Sequence, residues 1–271
     1  MKTIRVFPRR TKATPTDDLA YVGLPTLFVE GDSVHISVAF TWDIPVAEEL
    51  EREWKHVAPV IFGGPAFNDP GAEFVPGMYL KRGYVITSRG CPNKCWFCRA
   101  WRNEGKIREL PITEGYNVLD NNLLACSDEH IRNVFAMLAR QQERPRFTGG
   151  LEAARLQDWH VQALSELKPK ITYFAFDTEG DREPLVTAAQ KLSAAGLLTS
   201  SHTVRCYVLC GWEADSISAA DARCRFVASL RMLPMAMLLD NRDNHEWRRW
   251  RRTWANPYIA GAQMKRHEAH S

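Results

Sequence analysis

The sequence lacks long apolar runs, a strong charge of one sign and low-complexity tracts. A membrane-spanning helix needs roughly 20 apolar residues, and no stretch approaches that length, so we expect no membrane partner. The N-terminal run MKTIRVFPRRTKATP is basic but has no apolar core of the signal-peptide kind. The formal net charge of +3 does not by itself imply a polyanionic partner. With 45% hydrophobic and 25% charged residues, the 271 residues suit one large domain, or one domain with a smaller appendage.

Cysteine is scarce, but its distribution is uneven. The chain has seven cysteines, an odd number, and three of them lie within eight residues. An odd and clustered set does not suit a disulfide framework, and it favours metal ligation in a reducing compartment. We therefore expect a cytoplasmic protein with a metal-binding loop.

Alternating strand and helix patterns predict an α/β fold in three parts. Residues 1–83 predict a small α/β unit of parallel strands with a covering helix, in which the polar segment up to about residue 24 is a loop. Residues 84–243 repeat strand–helix units, which indicate a parallel α/β barrel or a partial one. Residues 244–271 predict an Arg- and Trp-rich helix and tail. The strands expected in the central part are at 84–87, 118–119, 146–148, 171–176, 204–209 and 234–239.

The clustered cysteines are Cys91, Cys95 and Cys98, in a C-x3-C-x2-C run directly after the first central strand. Three thiolates on one loop can converge on a soft metal centre. Three ligands on a four-iron cluster leave one iron open to bind another molecule. The alternative is a structural zinc site, which needs a fourth ligand such as Cys126 or a histidine.

This spacing resembles the C-x3-C-x-aromatic-C signature of the radical S-adenosylmethionine (radical SAM) superfamily, which Cys91, Cys95, Phe97 and Cys98 match residue by residue. The stretches YVITSRGCPNKCWFCRAW and LDNNLLAC also look like a bacterial and phage type of this family. The resemblance covers most of residues 84–240 and implies a partial (β/α)6 TIM-like radical SAM barrel. It further implies a [4Fe–4S] cluster on the three cysteines, with SAM on the open iron and Phe97 near the adenine.

The resemblance also implies a reaction. The cluster, reduced by an electron donor such as flavodoxin or ferredoxin, cleaves SAM to methionine and a 5′-deoxyadenosyl radical, which abstracts a hydrogen atom from a substrate. The sequence names neither that substrate nor a catalytic residue. A nucleobase or nucleic acid is one class of substrate, and a peptide or small metabolite is another. A third alternative is a non-catalytic iron–sulfur or zinc-binding protein.

Polar residues or glycines follow the strands predicted in the central part. Ligands of parallel α/β folds lie at the carboxyl ends of the strands, and the resemblance implies that these groups hold the amino group and ribose of SAM. The family's Gly-Gly-Glu triplet is altered here, because Leu151 intervenes and the run follows the third strand instead of the second, so residues 120–122 are the alternative partner of the amino group. Each position has an alternative role as a helix cap or turn. The candidate SAM-binding residues are Phe97, Asp120, Asn121, Asn122, Gly149, Gly150, Glu152, Asp177 and Gly211.

The N-terminal unit resembles a truncated cobalamin-binding-type domain of some radical SAM enzymes, with residues 63–65 where a ligand loop would lie. It is short and has no Asp-x-His-x-x-Gly motif, which favours the role of a cap over one side of the barrel. Core packing is favoured over a second cluster for the other cysteines, because cysteine is among the most buried residue types. These are Cys126, Cys206, Cys210 and Cys224.

The tail contains Trp247, Trp250 and Trp254 at i, i+3 and i+7. This spacing predicts an amphipathic helix whose Trp face packs on the protein and whose arginines face outward. Arginine beside aromatic rings can also bind phosphates and stack on bases, so contact with a nucleic acid is the alternative role.

Overall fold

The computed structural model describes residues 2–67, 73–199, 202–240 and 243–268, with side chains as far as residue 264. The strands within these ranges are β1 (Thr3–Phe7), β2 (Ala20–Val22), β3 (Ser33–Ser37), β4 (Val60–Gly63), β5 (Tyr84–Val85), β6 (Ser88–Arg89), β7 (Arg108–Glu109), β8 (Asn117–Val118), β9 (Arg146–Phe147), β10 (Ile171–Phe176), β11 (Val204–Cys210) and β12 (Leu233–Leu238). The α-helices are α1 (Ile44–Trp54), α2 (Ala100–Asn103), α3 (Asp128–Ala139), α4 (Asp158–Leu167), α5 (Arg182–Ala194), α6 (Ile217–Ser229), α7 (His245–Ala255) and α8 (Pro257–Glu268). Over the part of the chain described, no helix is long and apolar enough to cross a bilayer.

The chain divides into two compact units, Met1–Gly115 and Tyr116–Ser271. Both are built on parallel sheets with helices between strands, which confirms the predicted α/β class. The segment 84–115, which the sequence pattern assigns to the central part, belongs by its contacts to the first unit. The three clustered cysteines therefore lie in the first unit.

The first unit is organised around a parallel sheet in the order β2-β1-β3-β4. Alternate residues of β1 and β3 are fully buried and pack with the apolar face of α1, which ends in the buried Trp54. The indole of Trp54 donates a 2.9 Å hydrogen bond to the carbonyl of Gly23. The prediction of a loop as far as about residue 24 is wrong for β2, whose three half-buried residues are too few to show a strand pattern.

Segment 68–81, rich in glycine and proline, has the composition of a linker. Residues 68–72 lie outside the described ranges. The end of the segment is fixed to the first unit, because Arg5 donates to the carbonyls of Gly77 and Met78, at 3.0 and 3.1 Å. The Lys81 amide donates to the Ala13 carbonyl at 2.7 Å. The described end of this segment is therefore part of a folded unit.

The second unit contains a run of parallel strands in the chain order β8-β9-β10-β11-β12. Helices α3, α4, α5 and α6 connect successive strands, and the serine caps Ser127 and Ser216 start α3 and α6 by accepting 3.2 Å bonds from backbone amides. Over the residues described, the strands form an open sheet and not a closed barrel. Because all these strands are parallel, their carboxyl ends share one edge of the sheet.

Helix α7 confirms the amphipathic pattern of the tail. Trp247 and Trp254 are buried, and the indole groups of Trp250 and Trp254 both donate to one carboxylate oxygen of Asp221 on α6, at 3.2 and 2.7 Å. The Trp face is therefore a packing surface. The arginines that α7 exposes are Arg248, Arg249, Arg251 and Arg252.

Candidate functional site

The cysteine loop connects β6 to the short helix α2. β6 pairs with β7 in an antiparallel ladder, Ser88 with Glu109 and Arg89 with Arg108. The single strand expected at 84–87 is wrong in extent, because β5 ends at Val85 and Thr87 and Ser88 lead into this second ladder. The three cysteines follow β6 on irregular chain, and each is half-buried.

Gly90 fixes the base of the loop. Its φ of +83° is unfavourable for other residues, and a Cβ there would lie 2.3 Å from the carbonyl oxygen of Lys106. The Gly90 amide donates to Glu104 Oε2 at 3.0 Å, and the Cys91 amide donates to the Gly105 carbonyl at 3.1 Å. The first cysteine thus starts from a backbone that is held against residues 104–106.

Glu104 also neutralises Arg89. The Arg89 Nη1 to Glu104 Oε1 distance is 3.3 Å, and both side chains are at most 16% exposed. A poorly solvated pair of this kind holds its geometry better than a surface pair. The charge of Arg89 is therefore matched within the protein, whereas Lys94 and Arg99 in the loop are exposed.

The far side of the loop is held by α2. The Trp101 indole donates to the Cys95 carbonyl at 2.9 Å, and Arg102 donates to the Trp96 carbonyl at 3.0 Å. The Cys98 amide donates to the Cys95 carbonyl at 3.2 Å, which closes a tight turn between the last two cysteines. Phe97 is half-buried, with its ring edge-on to Trp96 at 5.5 Å.

Three thiols suit a soft metal or an iron–sulfur cluster in ligand type and number. The turn between Cys95 and Cys98 and the glycine at the base restrain the loop, which fits such a group. Over the described residues, however, no three or more His, Cys, Asp or Glu side chains are arranged to hold a metal ion. Within these ranges, neither a three-sulfur site nor a four-ligand zinc site is therefore preassembled.

The predicted strand-end residues of the second unit come together in part. Asn122 follows β8 and Glu152 follows β9. The side-chain amide nitrogen of Asn122 donates to Glu152 Oε2 at 2.6 Å, and Arg155 Nε donates to the same oxygen at 2.7 Å. Asp120 is buried beside them in the chain, while Asn121 is exposed. Asn122 and Glu152 thus meet although they are 30 residues apart.

The backbone structure itself explains why glycine occupies positions 149 and 150. A Cβ on Gly149 would lie 2.3 Å from the carbonyl oxygen of Asp120, so the close approach of the two strand ends requires glycine. Gly150 has a φ of +99°. Leu151, which interrupts the expected triplet, is buried, and its amide donates to the Tyr173 carbonyl at 2.7 Å. Gly149 is therefore explained by close packing and Gly150 by its positive φ, and their expected roles in SAM binding stay predictions.

Asp177 follows β10, where it is half-buried. Burial, together with the negative charge of Asp181, raises the pKa of the Asp177 carboxyl to about 7. Asp181 stays in place because it accepts bonds from the amides of Asp177 and Thr178, at 3.0 and 2.7 Å. Asp177 is therefore a carboxyl that gains or loses a proton near neutral pH.

Gly211 follows β11 and is fixed by packing. Its φ is +73°, a Cβ there would lie 2.8 Å from Leu238, and its amide donates to Asp215 at 2.8 Å. Asp215 is bound in turn by Arg223 at 2.6 Å. Gly211 is therefore required by its backbone conformation and by packing, and Asp177 and Gly211 follow the neighbouring strands β10 and β11.

Sequence reasoning missed three residues that organise these ends. Arg155 holds Glu152, Asp181 raises the pKa of Asp177, and Arg223 holds Asp215. The Glu-x-x-Arg spacing of Glu152 and Arg155 was a readable signal, because residues three apart face each other in a helical turn. No such local signal marks the Asp215–Arg223 pair, whose members lie on a loop and a helix.

No protein-family model matches the chain, and no curated protein is similar to it. The functional assignment therefore depends on the residues themselves.

Proposed function

We propose that the chain is a radical SAM enzyme, with a [4Fe–4S] cluster on Cys91, Cys95 and Cys98. When bound, the cluster supplies the electron that cleaves SAM, and the resulting 5′-deoxyadenosyl radical removes a hydrogen atom from the substrate. The observation that carries the proposal is the C-x3-C-x-Phe-C loop, which is fixed at its base by Gly90 and Glu104. Half-buried thiols can be loaded with iron and sulfide and still be partly shielded from solvent.

The open parallel sheet of the second unit supports the finer proposal of a partial (β/α)6-type barrel. Its strands follow one another in chain order with a helix between each pair. In such sheets, polar groups at the carboxyl ends of the strands bind the ligand. We assign the amino group of SAM to Glu152 and Asn122, which already share a hydrogen bond.

Asp177 is the proposed partner of the ribose. A carboxylate after a parallel strand can accept hydrogen bonds from ribose hydroxyls. The ionised form is the better acceptor, and a pKa of about 7 makes its population depend on pH near neutrality. Affinity for SAM should therefore rise as the pH increases through 7.

Among substrate classes, a nucleic acid is favoured by α7. The helix packs through its Trp face, so Arg248, Arg249, Arg251 and Arg252 are presented to solvent together. Arginines bind phosphates, and phosphate binding weakens steeply with salt. Retention on single-stranded DNA or RNA that is lost by replacing these arginines with Gln would support this class, while salt-insensitive or absent retention would favour a peptide or small metabolite.

The decisive experiment is anaerobic reconstitution with iron and sulfide, followed by incubation with dithionite and SAM. We expect a brown protein that forms 5′-deoxyadenosine, detected by chromatography. Cys95→Ala should abolish both the colour and the product. Cys126→Ala is the matched control, because Cys126 is also half-buried but lies outside the loop. An intact cluster that yields no 5′-deoxyadenosine contradicts the proposal, and stoichiometric zinc without iron supports the non-catalytic alternative.

A further inference from the structure

A cavity of about 540 Å³ lies within the first unit, away from any residue assigned above to SAM. Its walls include the last residues of β1, β3 and β4 and residues that follow them, namely Phe7, Pro8, Arg9, Ser37, Ala39, Phe40 and residues 61–65. The order β2-β1-β3-β4 means that the chain turns one way from β1 to β2 and the other way to β3 and β4. Parallel sheets bind ligands outside the carboxyl ends of the strands at such a reversal. The volume is in the range of small-molecule sites, roughly 300 to 1,000 Å³.

Aromatic rings make up much of the cavity wall. Phe7, Phe40 and Phe62 line it together with His35 and Tyr79. The rings of His35 and Tyr79 are nearly parallel at 15°, and a 2.6 Å hydrogen bond joins His35 Nδ1 to the Tyr79 hydroxyl. Several rings around a cavity of this size suit a flat molecule that stacks against them.

The positive charges of the wall are balanced by carboxylates of the protein. Arg9 binds Asp43 through Nε at 2.7 and 2.9 Å, and Arg89 is paired with Glu104. Among the described lining residues, the remaining charged group is Glu73, which is negative. A phosphate would therefore meet no unmatched cation here, and the wall favours a ligand without negative charge.

Uncharged polar groups complete the lining. Thr11, Thr14 and Ser37 carry hydroxyl groups, and burial lowers the pKa of His35, which keeps its ring neutral at pH 7. Hydroxyl and imidazole groups both donate and accept hydrogen bonds. They match the mixed donors and acceptors of a heteroaromatic ring better than they match a hydrocarbon.

We propose that this cavity binds an uncharged heteroaromatic molecule of nucleoside size. The site goes beyond the proposed reaction and does not depend on the cluster, since its walls are residues of the first unit outside the three cysteines. Ile86 and Arg89 of the wall precede Cys91 by five and two residues, so the site borders the cysteine loop along the chain.

Calorimetric titration of the cluster-free 271-residue protein tests the site, with adenosine, guanosine, cytidine and uridine as probes. At least one should bind with a Kd on the order of tens of micromolar, the affinity that ordinary ligand efficiency gives a molecule of this size. Its 5′-monophosphate should bind more weakly, because the wall offers the phosphate no unmatched cation. Failure of all four nucleosides to bind, or tighter binding of the monophosphate, overturns the proposal.

Variants place the binding in the cavity. Phe40→Ala should raise the Kd at least about fivefold, the lower end of the cost of removing a stacking ring. Phe28→Ala is the control, because Phe28 is 97% exposed and lies outside the cavity. Tyr79→Phe keeps the ring and removes only the hydroxyl, so it should have a smaller effect than Tyr79→Ala. A Kd that Phe40→Ala and Tyr79→Ala leave unchanged, in proteins with wild-type circular dichroism, places the ligand elsewhere and refutes the site.

Discussion

Replacing Asp177 by Asn tests whether the end of β10 disfavours a charge as strongly as its surroundings indicate. Burial, then the negative charge of Asp181, raises the pKa of the Asp177 carboxyl to about 7, while a hydrogen bond from the Leu209 backbone opposes them. The amide of Asn has nearly the shape of the protonated acid and has no proton to lose. D177N should therefore become more stable than the wild type over the pH range in which the wild-type carboxyl is ionised in the unfolded chain.

The sign and size of the effect follow from proton binding. Between the ordinary pKa of 3.8 and about 7, the folded chain holds a proton that the unfolded chain has released. The free energy of unfolding of the wild type therefore falls as the pH rises through this window. At about 1.36 kcal/mol per pH unit the whole difference is roughly 4 kcal/mol. Residual solvent contact of the carboxyl screens its charge, and we expect about 2 kcal/mol.

Urea unfolding followed by tryptophan fluorescence, at about pH 5 and about pH 8, measures this difference. D177N should be more stable than the wild type by an amount that grows from the lower pH to the higher one, where it reaches about 2 kcal/mol. Asp18→Asn, at an exposed carboxyl, is the control and should show no such dependence. A D177N chain that is no more stable than the wild type at the higher pH would refute the reasoning, as would a carbon-13 titration that places the Asp177 pKa at its ordinary value.

Three further substitutions test the packing and the proposed SAM contacts. Gly90→Ala should lower the free energy of unfolding by about 2 to 3 kcal/mol in urea unfolding. Gly105→Ala is the control, because Gly105 also has a positive φ but has open space around it, and it should cost only about 1 kcal/mol. Equal costs would contradict the contact between residue 90 and Lys106. Trp254→Phe should cost about 1 to 3 kcal/mol, because the half-buried Asp221 carboxylate loses its 2.7 Å donor and the buried indole is replaced by a smaller ring. A smaller cost than that of replacing the half-buried Trp250 by Phe would contradict this account. Glu152→Gln should raise the Kd for SAM, measured by equilibrium dialysis, at least about tenfold, because one charge-assisted hydrogen bond contributes about that much to binding. Glu179→Gln, at an exposed carboxylate, is the control and should leave the Kd unchanged.

The strands and helices with strong local patterns could be predicted from the sequence. The run Ile171–Phe176 is a six-residue apolar strand, and its predicted bounds are those of β10. The spacing of Trp247, Trp250 and Trp254 likewise predicted the buried face of α7. β2 was missed because its three half-buried residues lie between polar loops and are held mainly by pairing with β1. This pairing leaves no local pattern in the sequence.

The cysteine loop shows where local spacing stops being informative. The order of Cys91, Cys95 and Cys98 could be read directly, but the partner of Arg89 could not. Glu104 is 15 residues further on and reaches Arg89 only because β6 and β7 form a ladder that brings the two ends of the loop together. The charge of Arg89, a basic residue next to the cysteines, is therefore matched by a carboxylate of the protein itself.

The strand ends of the second unit also depend on contacts that local sequence spacing does not reveal. Asn122 and Glu152 were separate candidates in the sequence, each with a plausible role as a cap or turn residue. The backbone contact between Gly149 and Asp120 lets the two loops approach, and this approach places the Asn122 amide 2.6 Å from the Glu152 carboxylate. Gly149, a candidate SAM-binding residue in the sequence, is thus required for packing. Gly149→Ala should therefore displace the Glu152 carboxylate and break its hydrogen bond with Asn122. Any weakening of SAM binding in this variant would then result from the displaced carboxylate.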